Sequence, residues 1–343
     1  MTEAEKIFLV VSEELNLSKA AQRMFVSHQN ISQHIQKLED KYRTKLIVRK
    51  PKIQLTAAGR ELADTLQQIQ MLELQMQLRI NEQDKHFCGE LSIGMPYSRS
   101  FILAPQIIER YRKQYPNVKV TFLEGNSGEL IQKLLNGSLD MFVGVQHKPN
   151  ARLGYDLLMN EKLYVVIPEN LLREVFSDTF PQCVQSLTQG VDMARLAGIP
   201  FAVSLPNAFL RSQIDNFLIK EHVPLNIVFE SGNQEMQLRL CQKGLMASFC
   251  TQMHLYTIKD LNRISDHLEH LYVFPIKRLS ATNSIFVVYH KDMYFSPYKK
   301  AMRSIIKGVL KEFELLELDD FSFLPNGGCE NQEEQSAKQE VVR

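Results

Sequence analysis

Residues 16–42 of the chain run NLSKAAQRMFVSHQNISQHIQKLEDKY, and this stretch decides the fold. Ser18 is a natural N-cap for a short helix through KAAQRM, whose two alanines let another helix approach closely. FVS then makes a tight turn, and Ser27 caps the next helix. In that helix Ile31, Ile35, Leu38 and Tyr42 recur in steps of four, three and four, forming one apolar stripe. Upstream, residues 3–15 read as a helix with Phe8, Val11 and Leu15 on one face. Two short helices, a turn and a third amphipathic helix make a helix-turn-helix pattern.

Downstream, KLIVRKPKIQLT (residues 45–56) reads as two short strands around Lys50-Pro51-Lys52, a hairpin with cations at its tip. Residues 18–59 hold nine basic residues against two acidic ones, a local excess of seven in a chain whose net charge is only +1. A basic block in a neutral chain points to a polyanion-binding module. A long helix follows, in which Leu62, Leu66, Ile69, Leu72, Met76 and Ile80 step by four, three, three, four and four. With no nearby element to cover that stripe, a partner chain is the simplest cover.

The rest of the 343 residues, 44% hydrophobic overall, has the texture of an α/β domain. GELSIGMP, PNVKVTFLEG and LDMFVGV read as strands separated by helices. A second series runs from KLYVVIP through IPFAVSLP, NIVFESG and LMASFC, and NSIFVVYH with its following helix returns to the first. Strand–helix alternation predicts parallel pairing. The five cysteines are odd in number and widely spaced, which suits reduced thiols in a cytoplasm. The opening MTEAEKIFLVV lacks the basic start of a signal peptide, and no apolar run is long enough to span a bilayer.

In this order the chain resembles the LysR-type transcriptional regulators. The likeness rests on SKAAQRM, the VSxxxISxxIxxLE pattern of residues 26–39, KLIVR, LTAAG, GELSIG, YPNVKV and GSLDM, and covers about residues 4–315. Departures are His28-Gln29-Asn30 after the capping serine, Arg43 where a glycine is common, and Ile47 where a phenylalanine is common. The resemblance implies a winged helix-turn-helix (residues 1–59), a linker and dimerisation helix (60–87) and an effector-binding domain (88–315) like a periplasmic solute-binding protein. Its lobe one spans about 88–162 and 275–315, its lobe two about 163–274, with crossovers near 160–164 and 271–274. Residues 316–343, rich in Gln and Glu beyond Pro325, are expected to be a disordered tail. The resemblance also implies homodimers, often joined as tetramers, that bind double-stranded DNA at interrupted dyads.

On the third helix, positions opposite the stripe face solvent. Gln29, Asn30 and Gln33 are base-reading candidates, because an amide offers the donor and acceptor that match adenine in the major groove. His28 adjoins them, and Ser27, Ser32, Lys37, Arg49, Lys50 and Lys52 are phosphate candidates. As a metal pair His28 and His34 fail, since six residues set them about 120° apart around a helix. In the second domain MPYSRSF and SLPNAFLR end strands and open helices, where α/β sheets bind ligands and helix N-termini favour anions. Ser98, Arg99, Ser100, Asn126, Ser204, Asn207 and Thr251 are the effector candidates, for a small anionic molecule, although helix capping alone would also explain several.

No G-x-S-x-G, H-E-x-x-H, P-loop or G-x-G-x-x-G motif occurs, so no enzyme, metal or cofactor is expected. Cys250 would sense oxidants only with a lowered pKa; a buried, inert thiol is the ordinary state. Two alternatives stand beside the regulator. One is a cytoplasmic solute-binding protein or enzyme whose N-terminal helices merely dimerise. The other is a regulator whose second domain binds no ligand.

Overall fold

The computed structural model describes every residue except 50–51, 82–88, 146–148, 207, 264–267 and 319–343. The N-terminal unit holds α1 (Glu3–Glu14), α2 (Leu17–Met24) and α3 (His28–Tyr42), then the antiparallel pair β1 (Ile47–Val48) and β2 (Gln54–Leu55). Phe8, Val11, Ala20, Ile31, Ile35 and Leu38 meet in its core. The apolar stripes of α1 and α3 are each shorter than expected at the C-terminal end. Leu15 is a left-handed C-cap, 46% exposed, and Tyr42 is 43% exposed with the Lys41 ammonium over its ring. Asn16, not Ser18, caps α2, its Oδ1 accepting from the amides of Ser18 and Lys19 at 3.0 and 3.1 Å. The helix starts early because Leu17 is drawn into the core.

Buried Glu39 fastens the wing to α3. Its carboxylate accepts from the amides of Leu46 (2.9 Å) and Ile47 (3.4 Å) and from Lys45 Nζ (2.7 Å). Burial pushes its pKa up, but these donors outweigh it and hold the group below the usual carboxylate range. Thr56 and Gly59 close the other side. Thr56 Oγ1 accepts from the Gly59 amide, and a Cβ on Gly59 would run into the Leu46 carbonyl.

From Ala57 the chain runs as α4 (Ala57–Asn81). Leu62 and Leu66 of its stripe pack into the N-terminal core, so only Ile69, Leu72, Met76 and Ile80 are left exposed. Buried Met71 instead meets Gly137, and Arg152 reaches Asp64 (3.8 Å) and Gln67 (3.5 Å).

The first sheet of the C-terminal domain orders as β4-β3-β5-β12-β6, from β3 (Glu90–Met95), β4 (Lys119–Glu124), β5 (Met141–Val145), β6 (Leu153–Glu161) and β12 (Asn283–His290). The second orders as β11-β7-β10-β8-β9, from β7 (Leu163–Pro168), β8 (Phe201–Val203), β9 (Ile227–Glu230), β10 (Ala247–Thr251) and β11 (Leu271–Pro275). Among the strands of these two sheets parallel pairing holds for β4-β3-β5 and β10-β8-β9, while β12, β6, β7 and β11 pair antiparallel. These four strands connect the lobes. Residues 271–274 lie inside β11, so the second crossing falls later than expected, between Pro275 and Asn283.

The helices are α5 (Tyr97–Gln114), α6 (Ser127–Leu135), α7 (Glu169–Val175), α8 (Cys183–Leu187), α9 (Phe209–Glu221), α10 (Gln234–Gln242), α11 (Leu255–Arg263) and α12 (Pro297–Glu314). Helix α5 starts at Tyr97 rather than near Phe101, directly after Pro96, whose carbonyl accepts from the amides of Arg99 and Ser100. The expected tail is ordered at its beginning. Leu316 is buried with its carbonyl accepting from Gln252 Nε2 at 2.7 Å, and Glu317 pairs with Lys162. Residues 319–343 lie outside the described residues.

Candidate functional site

The N-terminal site is built on the outer side of α3. Ser27 caps the helix, Oγ accepting from the Asn30 amide at 3.1 Å, and Ile31, Ile35 and Leu38 hold the opposite side in the core. His28, Gln29, Gln33 and Lys37 are therefore exposed, and Ser32 is half-buried. Asn30 is half-buried rather than exposed. Its Oδ1 is buried without a partner, as is Nδ1 of His34 one turn on, so Asn30 offers no bidentate edge. The basic excess is also smaller than the sequence suggests. Arg23 pairs with Glu13 and Glu14, Lys41 with Glu5, and Lys45 with Glu39. Two of these three pairings use acidic residues of α1, outside the stretch that was counted. Among the described residues none pairs with Lys37, Arg49 or Lys52; Lys50 lies outside the described residues.

The second site is a cleft of about 630 Å³ between the lobes, where strands of both sheets end. Helices α5, α6 and α9 point their N-termini into it. Neither Pro96 at the start of α5 nor Ala208 at that of α9 caps its helix with a side chain, while Asn126 caps α6 through the Glu129 amide at 2.9 Å. Ser98, Arg99, Asn126, Ser204 and Thr251 line the cleft, and Asn207 lies outside the described residues. Ser100 does not line it. Its hydroxyl turns beneath α5 to the Tyr97 carbonyl and the Glu124 carboxylate. Three N-termini, each equivalent to about half a positive charge, favour an anion here.

Arg99 is already paired. Its guanidinium donates to Glu161 at 3.1 Å, and Glu161, with no exposure at all, also accepts from the Met253 amide at 3.3 Å. His254 sits beside them, Nδ1 3.0 Å from Thr251 Oγ1. Burial pushes its imidazole down to about 4; Glu161 pulls it up and Arg99 pushes it down. The folded value lies below the unfolded 6.5, so the unfolded chain binds the extra proton. This contribution to stability is full above about pH 6.5 and is lost as pH falls towards 4. The melting temperature of the wild type should fall more steeply over that window than that of His254→Gln; parallel curves would remove His254 as the cause.

Sequence reasoning missed Gln234, Met253, His254 and Asn283 of this cleft. Only β10 running into TQMH carried a signal, as a third strand end of the second lobe. Asn283 is 2% exposed with Oδ1 unpartnered, at the second crossing. Burial pushes the thiols of Cys241 and Cys250 up, as expected of inert core cysteines. Among the described residues no cluster could hold a metal, and no helix is long and apolar enough to cross a membrane.

A family model for the bacterial regulatory helix-turn-helix protein, lysR family, matches residues 3–60, and one for the LysR substrate binding domain matches residues 84–311. The HTH-type transcriptional regulator AlsR of Bacillus subtilis is 34% identical over 148 residues, 41% of this chain and 47% of that protein. The HTH-type transcriptional regulator IlvY of Escherichia coli is 28% identical over 167 residues, 48% of this chain and 56% of that protein. The chain thus spans about half the length of the curated relatives it matches. Full-length OxyR from Pseudomonas aeruginosa shares the fold at a TM-score of 0.61 and 18% identity, over 91% of this chain and 95% of that one. A full-length CbnR solved with its target DNA does so at 0.50 and 17%, over 91% and 100%. With its helix-turn-helix head matched by one model and its two-lobed domain by the other, the chain belongs to the LysR family.

Proposed function

We propose that this protein is a sequence-specific transcriptional regulator that binds double-stranded DNA and senses a small molecule in its C-terminal domain. The observation that carries it is the outer side of α3, where Gln29, Gln33 and Lys37 are exposed at successive turns, on a head that also exposes Arg49 and Lys52. A helix of this kind in the major groove aims its N-terminal side chains at base edges. Gln29 and Gln33 read bases; Ser27, Ser32, Lys37, Arg49 and Lys52 hold phosphates. Asn30 is left out of the base-reading set. The reading assigns residues 1–59 to DNA, 60–87 to dimerisation and 88–315 to the effector, and places the protein in the cytoplasm as a non-enzyme.

The exposed residues Ile69, Leu72, Met76 and Ile80 of α4 support a homodimer through that helix, with tetramers built on it. Two heads on one dimer set the half-site spacing. The three helix N-termini support a small anionic effector in the cleft. Full-length protein should be retained on duplex DNA at low salt and released as salt rises, log affinity falling linearly with log salt. Gln33→Ala should lose about 1–3 kcal/mol of base discrimination with the same salt slope. No retention at low salt would favour a solute-binding protein whose N-terminal helices only dimerise. A thermal shift with no member of a metabolite panel would favour a second domain that binds no ligand.

A further inference from the structure

Phe25 stands in the turn between α2 and α3, closing α2 in the left-handed region at φ 56°. It is 96% exposed; among the described residues no other large apolar side chain exceeds 74%. The fold does not use the ring. Backbone bonds fix the corner, the Phe25 amide to the Gln22 carbonyl at 3.2 Å and the Val26 amide to that of Ala21 at 3.0 Å. Val26 carries the apolar contact to the core. Asn or Gly would hold this backbone with less strain, since Cβ crowds the carbonyl oxygen in the left-handed conformation, a clash that glycine lacks and that asparagine offsets by local hydrogen bonding.

The position of the ring says what covers it. Two residues on, Ser27 caps α3, and the N-terminal side chains of such a helix enter the major groove. The turn therefore adjoins the N-terminal end of α3 that carries Gln29, on a head whose exposed cations Lys37, Arg49 and Lys52 have no partner among the described residues and complement a polyanion. Major-groove edges carry one apolar group, the 5-methyl of thymine, and aromatic or methyl side chains match it. We infer that Phe25 is a specificity-determining residue, laying its ring against a thymine methyl at the margin of the sequence read by Gln29 and Gln33. This rests on the DNA-binding reading above.

The test starts from duplexes that the full-length wild type selects from a random pool. Each thymine is replaced in turn by deoxyuridine, which removes the methyl and keeps the pairing. One position per half-site should weaken wild-type binding about five- to twentyfold. Phe25→Asn should lose the same factor on the thymine duplex, lose nothing further on the uracil duplex, and melt no lower than wild type. Wild-type affinity in Phe25→Asn, or an equal loss on thymine and uracil duplexes, overturns the inference. A smaller mass for Phe25→Asn in light scattering would move the ring to a subunit contact and overturn it too. If the wild type selects no sequence, the DNA-binding reading falls first; if it selects one and Phe25→Asn is indifferent, only the role of Phe25 falls.

Discussion

Lys299→Met should destabilise the C-terminal domain by about 3–5 kcal/mol, the range for removing one partner of a buried ion pair. Lys299 Nζ lies 2.5 Å from Asp140 Oδ1, and the two residues are 2% and 8% exposed. The other carboxylate oxygen of Asp140 accepts from the Ser92 amide at 2.7 Å and its hydroxyl at 3.0 Å. One carboxylate thus joins β3, the start of β5 and α12. Without the ammonium its charge stays buried with only dipoles to balance it. Lys299→Met/Asp140→Asn should regain most of the loss, because asparagine keeps an acceptor for Ser92 and carries no charge. Urea unfolding of the full-length protein reads both; a loss under about 1 kcal/mol in the single variant would mean that water reaches the pair.

Local patterns made the N-terminal unit legible. Ile31, Ile35 and Leu38 reveal the buried side of α3 by spacing alone, and Ser27 marks its start. What failed there was non-local. The cations Arg23 and Lys41 meet acidic residues of α1 that lie nine or more positions away in the chain. Periodicity also cannot say which body covers a stripe. Leu66 and Leu72 share one pattern, yet the first packs into its own head and the second is 60% exposed. In the C-terminal domain strand–helix alternation placed β3, β4 and β5, whose parallel pairing it implies. It could not place β6, which follows another strand, or β11, which follows α11 yet pairs antiparallel, as β6 does. The cleft was legible where a strand ends and a helix begins, at Ser98, Asn126 and Ser204. Asn283, brought there by a crossing strand, was not, and neither was Glu161, fully buried against the lining residues Arg99 and Met253.

Arg99→Met should have an effect of the same size, and its consequences for ligand binding separate two roles of that residue. Glu161 is fully buried and keeps only the Met253 amide when the guanidinium is gone, so the single variant should lose about 3 kcal/mol or more. Its failure to bind a ligand would then prove little. Arg99→Met/Glu161→Gln restores neutrality and keeps an acceptor for Met253, so its stability should return close to the wild type. The ion pair adds no net charge to the cleft, and the field that remains comes from the N-termini of α5, α6 and α9. The double variant should therefore bind small carboxylates and inorganic phosphate within a few-fold of the wild type. Glu161→Gln alone leaves the Arg99 charge uncompensated and should tighten the same anions about tenfold, about 1.4 kcal/mol. Thermal shift and titration with those probes distinguish the cases. Tenfold weaker anion binding in the stable double variant would instead mean that Arg99 leaves Glu161 and contacts the anion itself, so that ligand and buried carboxylate compete for one guanidinium.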